Sequence, residues 1–222
     1  MSELEAVLFD MDGTLVDSEK VWDVGLRELA RRFGGELSQA ARTRMVGTSM
    51  AESMEILHAD ISQPWLNPEE SVTWLENRVY ELFAAGLIWR PGARELLDAV
   101  RAAGLPAALV TATRRRLVDV ALGTIGAHNF DVVVCGDEVG NSKPHPEPYL
   151  TAASKLGADP RRCAAIEDSP TGVASALAAG CLVVAVPCEV ALVPTDGVVQ
   201  IDSLTMMDVA TLRRHLAGRA AA

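Results

Sequence analysis

Two aspartates stand immediately after a short apolar run near the start of the chain. The run at 6–9 is uncharged and partly β-branched, which is typical of a strand buried on both faces of a parallel sheet. Asp10 and Asp12 follow it, Gly13 allows a sharp turn, and the Thr14 hydroxyl is expected to hydrogen-bond the departing chain. Open α/β sheets bind ligands beyond the carboxyl ends of their strands, so both carboxylates should share one crevice. Neighbouring carboxylates repel unless a cation or a retained proton intervenes, which predicts a metal or acid–base site.

Two other interpretations of this stretch stay open. Asp, Gly and Thr are common in plain strand-end turns. An Asp-x-Asp-Gly sequence also occurs in calcium loops, but Leu15 and Val16 stand where such a loop needs further ligands.

The segment from Ser18 to about residue 86 has helical periodicity and no convincing strand. Ser18 is expected to cap a first helix, in which Trp22 lies on the apolar face. This block interrupts an otherwise alternating pattern, so we interpret residues 18–86 as an inserted helical cap domain and residues 1–17 with 87–222 as the core domain. We expect the cap to determine specificity, with the small, polar loop at Gly47 facing the site.

Strands and helices alternate again after residue 87. Apolar runs at 107–111, 132–134, 164–166, 182–186 and 198–201 predict a doubly wound, Rossmann-like parallel sheet. Chemically active side chains follow these strands: Thr111 ends the second strand, Lys143 lies in the loop after the third, and Glu167 and Asp168 end the fourth. A parallel sheet brings its carboxyl ends to one edge, so we expect these residues to meet Asp10 although they are far apart in sequence.

Composition limits the partners of such a protein. With a net charge of −10 and no basic stripe, the chain is not expected to bind nucleic acid. No apolar run approaches the roughly 20 residues of a membrane span. The four cysteines lie mostly in apolar runs without Cys-x-x-Cys spacing, which favours reduced thiols and a cytoplasmic location. We expect a monomer or weak homodimer.

Four sequence motifs together resemble those of the haloacid dehalogenase superfamily. They are Asp10-x-Asp12-Gly13-Thr14-Leu15-Val16-Asp17-Ser18, then Thr111, then Lys143-Pro144-His145-Pro146-Glu147, and finally Ile166-Glu167-Asp168-Ser169-Pro170-x-Gly172. The helical insertion directly after the first motif is similar to that of the β-phosphoglucomutase-like phosphatase group. The resemblance covers nearly the whole chain and implies a magnesium-dependent phosphatase acting on a small phosphorylated metabolite.

The resemblance also implies a role for each motif residue. Asp10 would attack phosphorus and form an aspartyl phosphate. Asp12 would protonate the leaving alkoxide and later take a proton from water. Mg²⁺ would be held by Asp10, the backbone carbonyl of Asp12 and Asp168, with Glu167 a direct or an outer ligand.

The remaining roles concern the phosphoryl oxygens. Thr111 and the amide of Ala112 would hold them, and Lys143 would offset the negative charge around Asp10. Arg114 is the first of three consecutive arginines at a predicted helix start. An anionic substrate and acidic surface residues are equally good candidates to neutralise this positive charge.

Three alternatives to a phosphatase have to be weighed. A β-phosphoglucomutase-type mutase shares every core motif, but it typically has a His where Trp22 stands and basic residues where Val46 and Met50 flank Gly47. A phospho-accepting signalling domain has a similar crevice, but it lacks the insertion and is about half as long. A degenerate binding protein would have no need to keep the complete set of motif residues. The phosphatase therefore stays the preferred prediction.

Overall fold

The structure is a computed structural model that describes residues 3–45, 48, 50–188 and 191–219. The strands are β1 Ala6–Phe9, β2 Ala107–Val110, β3 Val132–Val134, β4 Cys163–Glu167, β5 Leu182–Ala185 and β6 Val198–Gln200. The helices are α1 Glu19–Arg32, α2 Gln39–Met45, α3 Met50–Asp60, α4 Pro68–Ala84, α5 Ala93–Ala102, α6 Arg115–Ile125, α7 Glu147–Leu156, α8 Pro170–Ala178 and α9 Val209–Arg219. Short 3₁₀ turns occur at Ala127–Asn129, Pro160–Arg162 and Leu204–Met206.

The sheet is parallel throughout, with the strand order β3-β2-β1-β4-β5-β6. β1 lies between β2 and β4, and Phe9 is in register with Leu109 on one side and Ile166 on the other. The strand order reverses beside β1, which is where doubly wound sheets open a crevice for ligands. The predicted fold class is therefore confirmed.

Small apolar side chains cover much of the sheet. Ala6, Ala108 and Ala165 are fully buried and belong to the same core cluster as Tyr149 of α7 and Val173 of α8. Short side chains on a strand let helices approach the sheet closely, and burial on both faces explains why these strands lack polar alternation. The core thus fixes the distance of α7 and α8 from the strand ends.

The chain divides into two compact units. The larger comprises the residues up to Asp17 and those from Leu87 onward, and the smaller is Ser18–Gly86. In the smaller unit, α1 packs against α4, and a side chain at Gly25 would lie 2.9 Å from Leu75 Cδ1. Among the described residues, none of the helices combines the length and the hydrophobicity that a membrane span requires.

The start of α1 differs from expectation. Ser18 precedes α1 but makes no capping hydrogen bond with its side chain, because its backbone is already helical (φ −78°, ψ −20°) and an N-cap oxygen needs an extended backbone. Ser169 has that backbone, and its Oγ accepts a bond from Gly172 N at 3.1 Å at the start of α8. Asn67 caps α4 in the same way through Glu69 N.

Candidate active site

One ammonium group joins the ends of three strands. Lys143 lies in the loop between β3 and α7, and its Nζ donates to Asp10 Oδ1 at 2.6 Å and to Glu167 Oε1 at 2.6 Å. A third bond goes to the carbonyl of Val110 at 2.9 Å, in the last residue of β2. The structure therefore brings together Asp10, Lys143 and Glu167, as the parallel sheet predicted.

The charges of this cluster are almost completely shielded from water. The side chains of Lys143 and Asp10 are 5% and 8% exposed, and that of Glu167 is 0% exposed. Burial disfavours a charged ammonium, but the two carboxylates outweigh it and raise the pKa of Lys143 above its ordinary value. Lys143 is therefore a permanent cation within the site.

One cation does not balance the acids around it. Burial raises the pKa of Asp10 to about 7, with Lys143 opposing the rise and the repulsion of Glu167 and Asp12 adding to it. Burial and the repulsion of Asp10 and Glu167 raise the pKa of Asp168 to about 9. Without a further positive charge, these carboxyl groups therefore tend to hold protons.

The donor set fits a hard divalent cation. Oxygen atoms of Asp10, Glu167 and Asp168 all lie within 4.8 Å of one another. Asp10 Oδ2 is buried and has no hydrogen-bond partner among the described residues. A buried carboxylate oxygen without a donor is costly, and clustered carboxylate oxygens are the ligands that Mg²⁺ and Ca²⁺ prefer.

Glu167 is held by three side chains that differ in kind. Besides Lys143, the Tyr149 hydroxyl donates to Oε1 at 2.5 Å, and the Ser169 hydroxyl donates to Oε2 at 3.3 Å. Burial and the nearby Glu167 carboxylate keep the pKa of Tyr149 well above its ordinary value, so the phenol remains a donor. Sequence reasoning missed Tyr149, because one aromatic residue on a helix is usually a core residue.

Asp12 is held by two hydroxyl groups from the segment after β2. Thr111 Oγ1 donates to Asp12 Oδ2 at 3.1 Å, and Thr113 Oγ1 donates to the same atom at 2.7 Å. Thr111 was expected to hold phosphoryl oxygens, together with the amide of Ala112, and that role stays a prediction. Thr113 was missed, because it lies in a turn after β2, where its N–H donates to Thr111 Oγ1 at 3.0 Å, and a threonine in a turn has no distinguishing pattern.

Two glycines are required by the closeness of the carboxylates. Gly13 has φ +76°, and a Cβ there would lie 2.1 Å from Asp168 Oδ2. A Cβ on Gly172 would lie 1.9 Å from Glu167 Oε2. Any larger residue at either position would displace an acid of the site.

Thr14 does not do what the sequence suggested. Its hydroxyl is buried and has no partner among the described residues. The turn is instead closed by backbone bonds, from Gly13 N to Val16 O at 2.9 Å and from Leu15 N to Met11 O at 3.0 Å. The expectation of a hydrogen bond from Thr14 to the chain was therefore wrong.

The arginines that follow β2 differ in their surroundings. Arg115 forms an ion pair with Glu138 at 2.8 Å, and its backbone N–H donates to Asp137. This arginine is thus a paired surface residue. Arg114 is exposed at the start of α6, and its contact with substrate stays a prediction.

The smaller unit contains a cavity of about 210 Å³. Its lining is partly apolar, with Trp22, Met50 and Leu75, and partly polar, with Arg42 and Ser53. Ser53 Oγ and Thr48 Oγ1 share a hydrogen bond at 2.8 Å. Gly47, which was expected to bind substrate, lies outside the described residues.

Arg42 is the one cation among the described residues that line this cavity. Its guanidinium is paired with Glu19 at 3.3 Å and with Asp23 at 3.2 Å. Asp23 is also paired with Arg27 at 2.7 Å. The positive charge of Arg42 is therefore neutralised by acids of the smaller unit.

Comparison with known proteins agrees with this geometry. The model of the haloacid dehalogenase-like hydrolases matches residues 4–180. The chain is 34% identical over 182 residues to the phosphorylated carbohydrates phosphatase of Thermotoga maritima, covering 80% of this chain and 82% of that protein.

Solved structures show the same architecture. A mutant of CbbY from Rhodobacter sphaeroides, in complex with xylulose-1,5-bisphosphate, superposes with a TM-score of 0.79 at 26% identity and covers 94% of this chain and 99% of its own. A β-phosphoglucomutase from Clostridium difficile gives a TM-score of 0.77 over 99% of this chain and all of its own, but its 21% identity shows the fold alone. With its motifs, fold and family match in agreement, the chain belongs to the haloacid dehalogenase-like hydrolase family, and the prediction of an enzyme of this family is confirmed.

Proposed function

We propose that the chain is a magnesium-dependent phosphatase that hydrolyses phosphomonoesters of sugars or similar small metabolites, with Asp10 as the nucleophile. The observation that carries this proposal is the difference between the two oxygens of the Asp10 carboxylate. Lys143 anchors Oδ1, while Oδ2 is buried without a partner among the described residues. A carboxylate held at one oxygen can present the other to an electrophile in a fixed direction.

The covalent step uses that oxygen. A bond forms between the Asp10 carboxylate and phosphorus as the bond from phosphorus to the substrate alcohol breaks. Water then attacks phosphorus, the bond from phosphorus to Asp10 breaks, and inorganic phosphate leaves. Lys143 Nζ lies 2.6 Å from Oδ1, where its charge offsets negative charge at the reacting centre.

Asp12 transfers one proton in each half of the reaction, first as the donor and then as the acceptor. As the acid it protonates the leaving alkoxide, and as the carboxylate it takes a proton from the attacking water. The hydroxyls of Thr111 and Thr113 both meet its Oδ2, which restricts how the carboxyl group can rotate. This restriction supports a role for Asp12 that depends on orientation.

The acidic cluster is the proposed magnesium site. Asp10, Asp168 and Glu167, with the Asp12 backbone carbonyl that the family resemblance adds, would hold the ion. When bound, Mg²⁺ supplies positive charge that neutralises the phosphoryl oxygens. Thr111 and the amide of Ala112 are the proposed contacts for the oxygens that remain.

The proposed substrate carries one phosphate on a hydroxylated carbon chain. The Thermotoga maritima relative is named for phosphorylated carbohydrates. We propose that Ser18–Gly86 is the domain that selects the organic part, through its cavity. Arg42 is already neutralised there. By the family resemblance, a mutase typically has a His where Trp22 stands and a basic residue where Met50 stands. These features favour a phosphatase over a mutase, which needs to hold a second phosphate.

A substrate panel tests this proposal. The purified protein is incubated with Mg²⁺ and hexitol phosphates, hexose phosphates, sugar bisphosphates, nucleotides or phosphorylated acids, and released phosphate is measured. We expect turnover of sugar or hexitol monophosphates that EDTA abolishes and Mg²⁺ restores. Isomerised product from a sugar 1-phosphate without phosphate release would favour the mutase, and no reaction with any phosphomonoester would contradict both enzymes.

A further inference from the structure

Tyr149 is fully buried, and it contacts both members of the central ion pair. Its hydroxyl donates to Glu167 Oε1 at 2.5 Å. The Lys143 ammonium lies 5.2 Å from the centre of its ring, within the range of a cation–π contact. The motif residues of the sequence do not include it, and the proposed chemistry does not use it.

The packing of Tyr149 in the core does not require its hydroxyl group. Tyr149 belongs to an apolar cluster with Leu8, Ala152 and Val173, all buried, where a phenylalanine would fill the same space. A buried phenol is costly without an acceptor, and this one meets a carboxylate oxygen that also accepts from Lys143. The oxygen therefore has two donors on fixed elements, one from α7 and one from the loop before it.

We infer that Tyr149 is a positioning residue that fixes the Glu167 carboxylate and, through it, the Lys143 ammonium against Asp10. All three hydrogen-bond donors of the ammonium are engaged, by Asp10, Glu167 and the Val110 carbonyl. The place of Glu167 Oε1 therefore determines how Lys143 meets Asp10. Outer partners of this kind determine the orientation of the carboxylates that surround a metal.

Tyr149→Phe is the matched variant, because it removes only the hydroxyl. Mn²⁺ binding to the metal-free protein is measured by calorimetry, without substrate. We expect binding to weaken about tenfold or more, the usual effect of losing an outer partner of a metal site. The inference rests on the proposed function only for turnover, where kcat should also fall about tenfold while KM changes less than about twofold.

A control variant in the core separates loss of carboxylate positioning from a general loss of stability. Val183→Ala opens a cavity in the same buried cluster without touching the ion pair. We expect it to lower the melting temperature at least as much as Tyr149→Phe and to leave Mn²⁺ affinity unchanged. Equal Mn²⁺ affinity in Tyr149→Phe and the wild type would overturn the inference, whether or not the protein hydrolyses any phosphomonoester.

A second measurement decides the question with the Tyr149 hydroxyl in place, should Tyr149→Phe fail to fold. The chain has two tyrosines, so protein labelled with 3-fluorotyrosine gives one ¹⁹F signal each for Tyr80 and Tyr149. We expect Mg²⁺ to shift the signal of Tyr149, assigned with a Tyr80→Phe variant. A signal that is unchanged at saturating Mg²⁺ would overturn the inference.

Discussion

Each of the two units contains a buried cation between two acids, but the acids of the two clusters differ in their exposure to water. In the larger unit, Lys143 lies between Asp10 and Glu167, whose side chains are 8% and 0% exposed. In the smaller unit, Arg42 lies between Glu19 and Asp23, which are 38% and 30% exposed. The acids of the second cluster can therefore be hydrated, while those of the first cannot.

We propose that this difference separates a reactive cluster from a structural one. The Lys143 cluster retains a buried carboxylate oxygen without a partner among the described residues and a neighbouring acid, Asp168, whose pKa is raised to about 9. Among the described side chains, the Arg42 cluster has no such oxygen. Negative charge that is buried without a partner is stabilised by a bound cation or by protonation. A cluster in which every charge is paired mainly stabilises the packing of helices.

The largest effect is expected from Asp10→Asn. The amide has nearly the same shape but is not a nucleophile, so turnover should fall about 10⁴-fold or more. The melting temperature should change little, because a neutral group at this position avoids the cost of burying charge. Phosphate release and thermal unfolding provide the measurements, and turnover at the wild-type rate would exclude a covalent role for Asp10.

Removing each cation compares the two clusters directly. Lys143→Met leaves two buried acids without their partner, so we expect a loss of about 3–5 kcal/mol in the free energy of unfolding at pH 8. Arg42→Met is the matched control, and water can reach its acids, so the loss should be about 1–2 kcal/mol. Urea titrations of both variants measure the difference. Equal losses would show that exposure does not separate the clusters.

The raised pKa values of the larger unit predict how stability depends on pH. The folded pKa values of Asp10 and Asp168, about 7 and about 9, exceed their ordinary 3.8, so the folded protein retains protons that the unfolded chain has released. Stability from this source is greatest below pH 3.8 and declines as pH rises toward 9. Above about pH 7, Asp168 is the main contributor, with a slope of up to about 1.4 kcal/mol per pH unit.

Urea titrations of the metal-free protein at intervals from about pH 7 to about pH 8.5 measure this slope. The window avoids lower pH, where the buried His58, whose pKa is lowered by burial, acts in the opposite sense. Saturating Mg²⁺ or the change Asp168→Asn should flatten the slope. The same slope under all three conditions would contradict the proposed origin.

Thr113→Val tests the hydroxyl pair on Asp12. The change keeps the shape of the side chain and removes the bond to Asp12 Oδ2 at 2.7 Å, so we expect kcat to fall about tenfold with little change in stability. Thr73→Val, which removes a hydroxyl bond to a backbone carbonyl on α4, is the control and should leave kcat unchanged. Equal kcat values in both variants would exclude orientation of Asp12 by Thr113.

The smallest effect is expected from adding a cation to the cavity of the smaller unit. Met50→Arg places an unpaired charge among its lining residues, so sugar bisphosphates should bind a few-fold more tightly as competitive inhibitors. Ala51→Arg adds the same charge next to the lining residues and should have no such effect. Tight bisphosphate binding by the wild type would contradict the single-phosphate proposal.

Much of the fold could be predicted from local patterns. Apolar runs predicted the positions of β1 to β6, and helical periodicity identified 18–86 as the segment that contains α1 to α4, because burial on both faces or on one stripe leaves a clear signature. Boundaries were less accurate: the predicted runs at 107–111 and 182–186 each extend one residue beyond the strand, which ends at Val110 and at Ala185. Capping depends on backbone angles, which explains the error at Ser18.

The predicted site residues fall into two groups. Motif residues such as Asp10 and Lys143 could be found because side chains that follow the strands of a parallel sheet are expected to gather at one edge. Tyr149 and Thr113 could not, because their importance lies in what they touch across the fold. A tyrosine in a helix and a threonine in a turn have no distinguishing local pattern.

The sequence by itself determined the fold class and the edge of the sheet at which the charges gather, since periodicity and strand ends are local properties. The tertiary structure alone decided the strand order, the sharing of Glu167 Oε1 by Lys143 and Tyr149, and which oxygen of Asp10 remains without a partner among the described residues. Hydrogen bonds depend on distances of a few tenths of an ångström between residues far apart in the chain. Such distances are fixed only when the core packs.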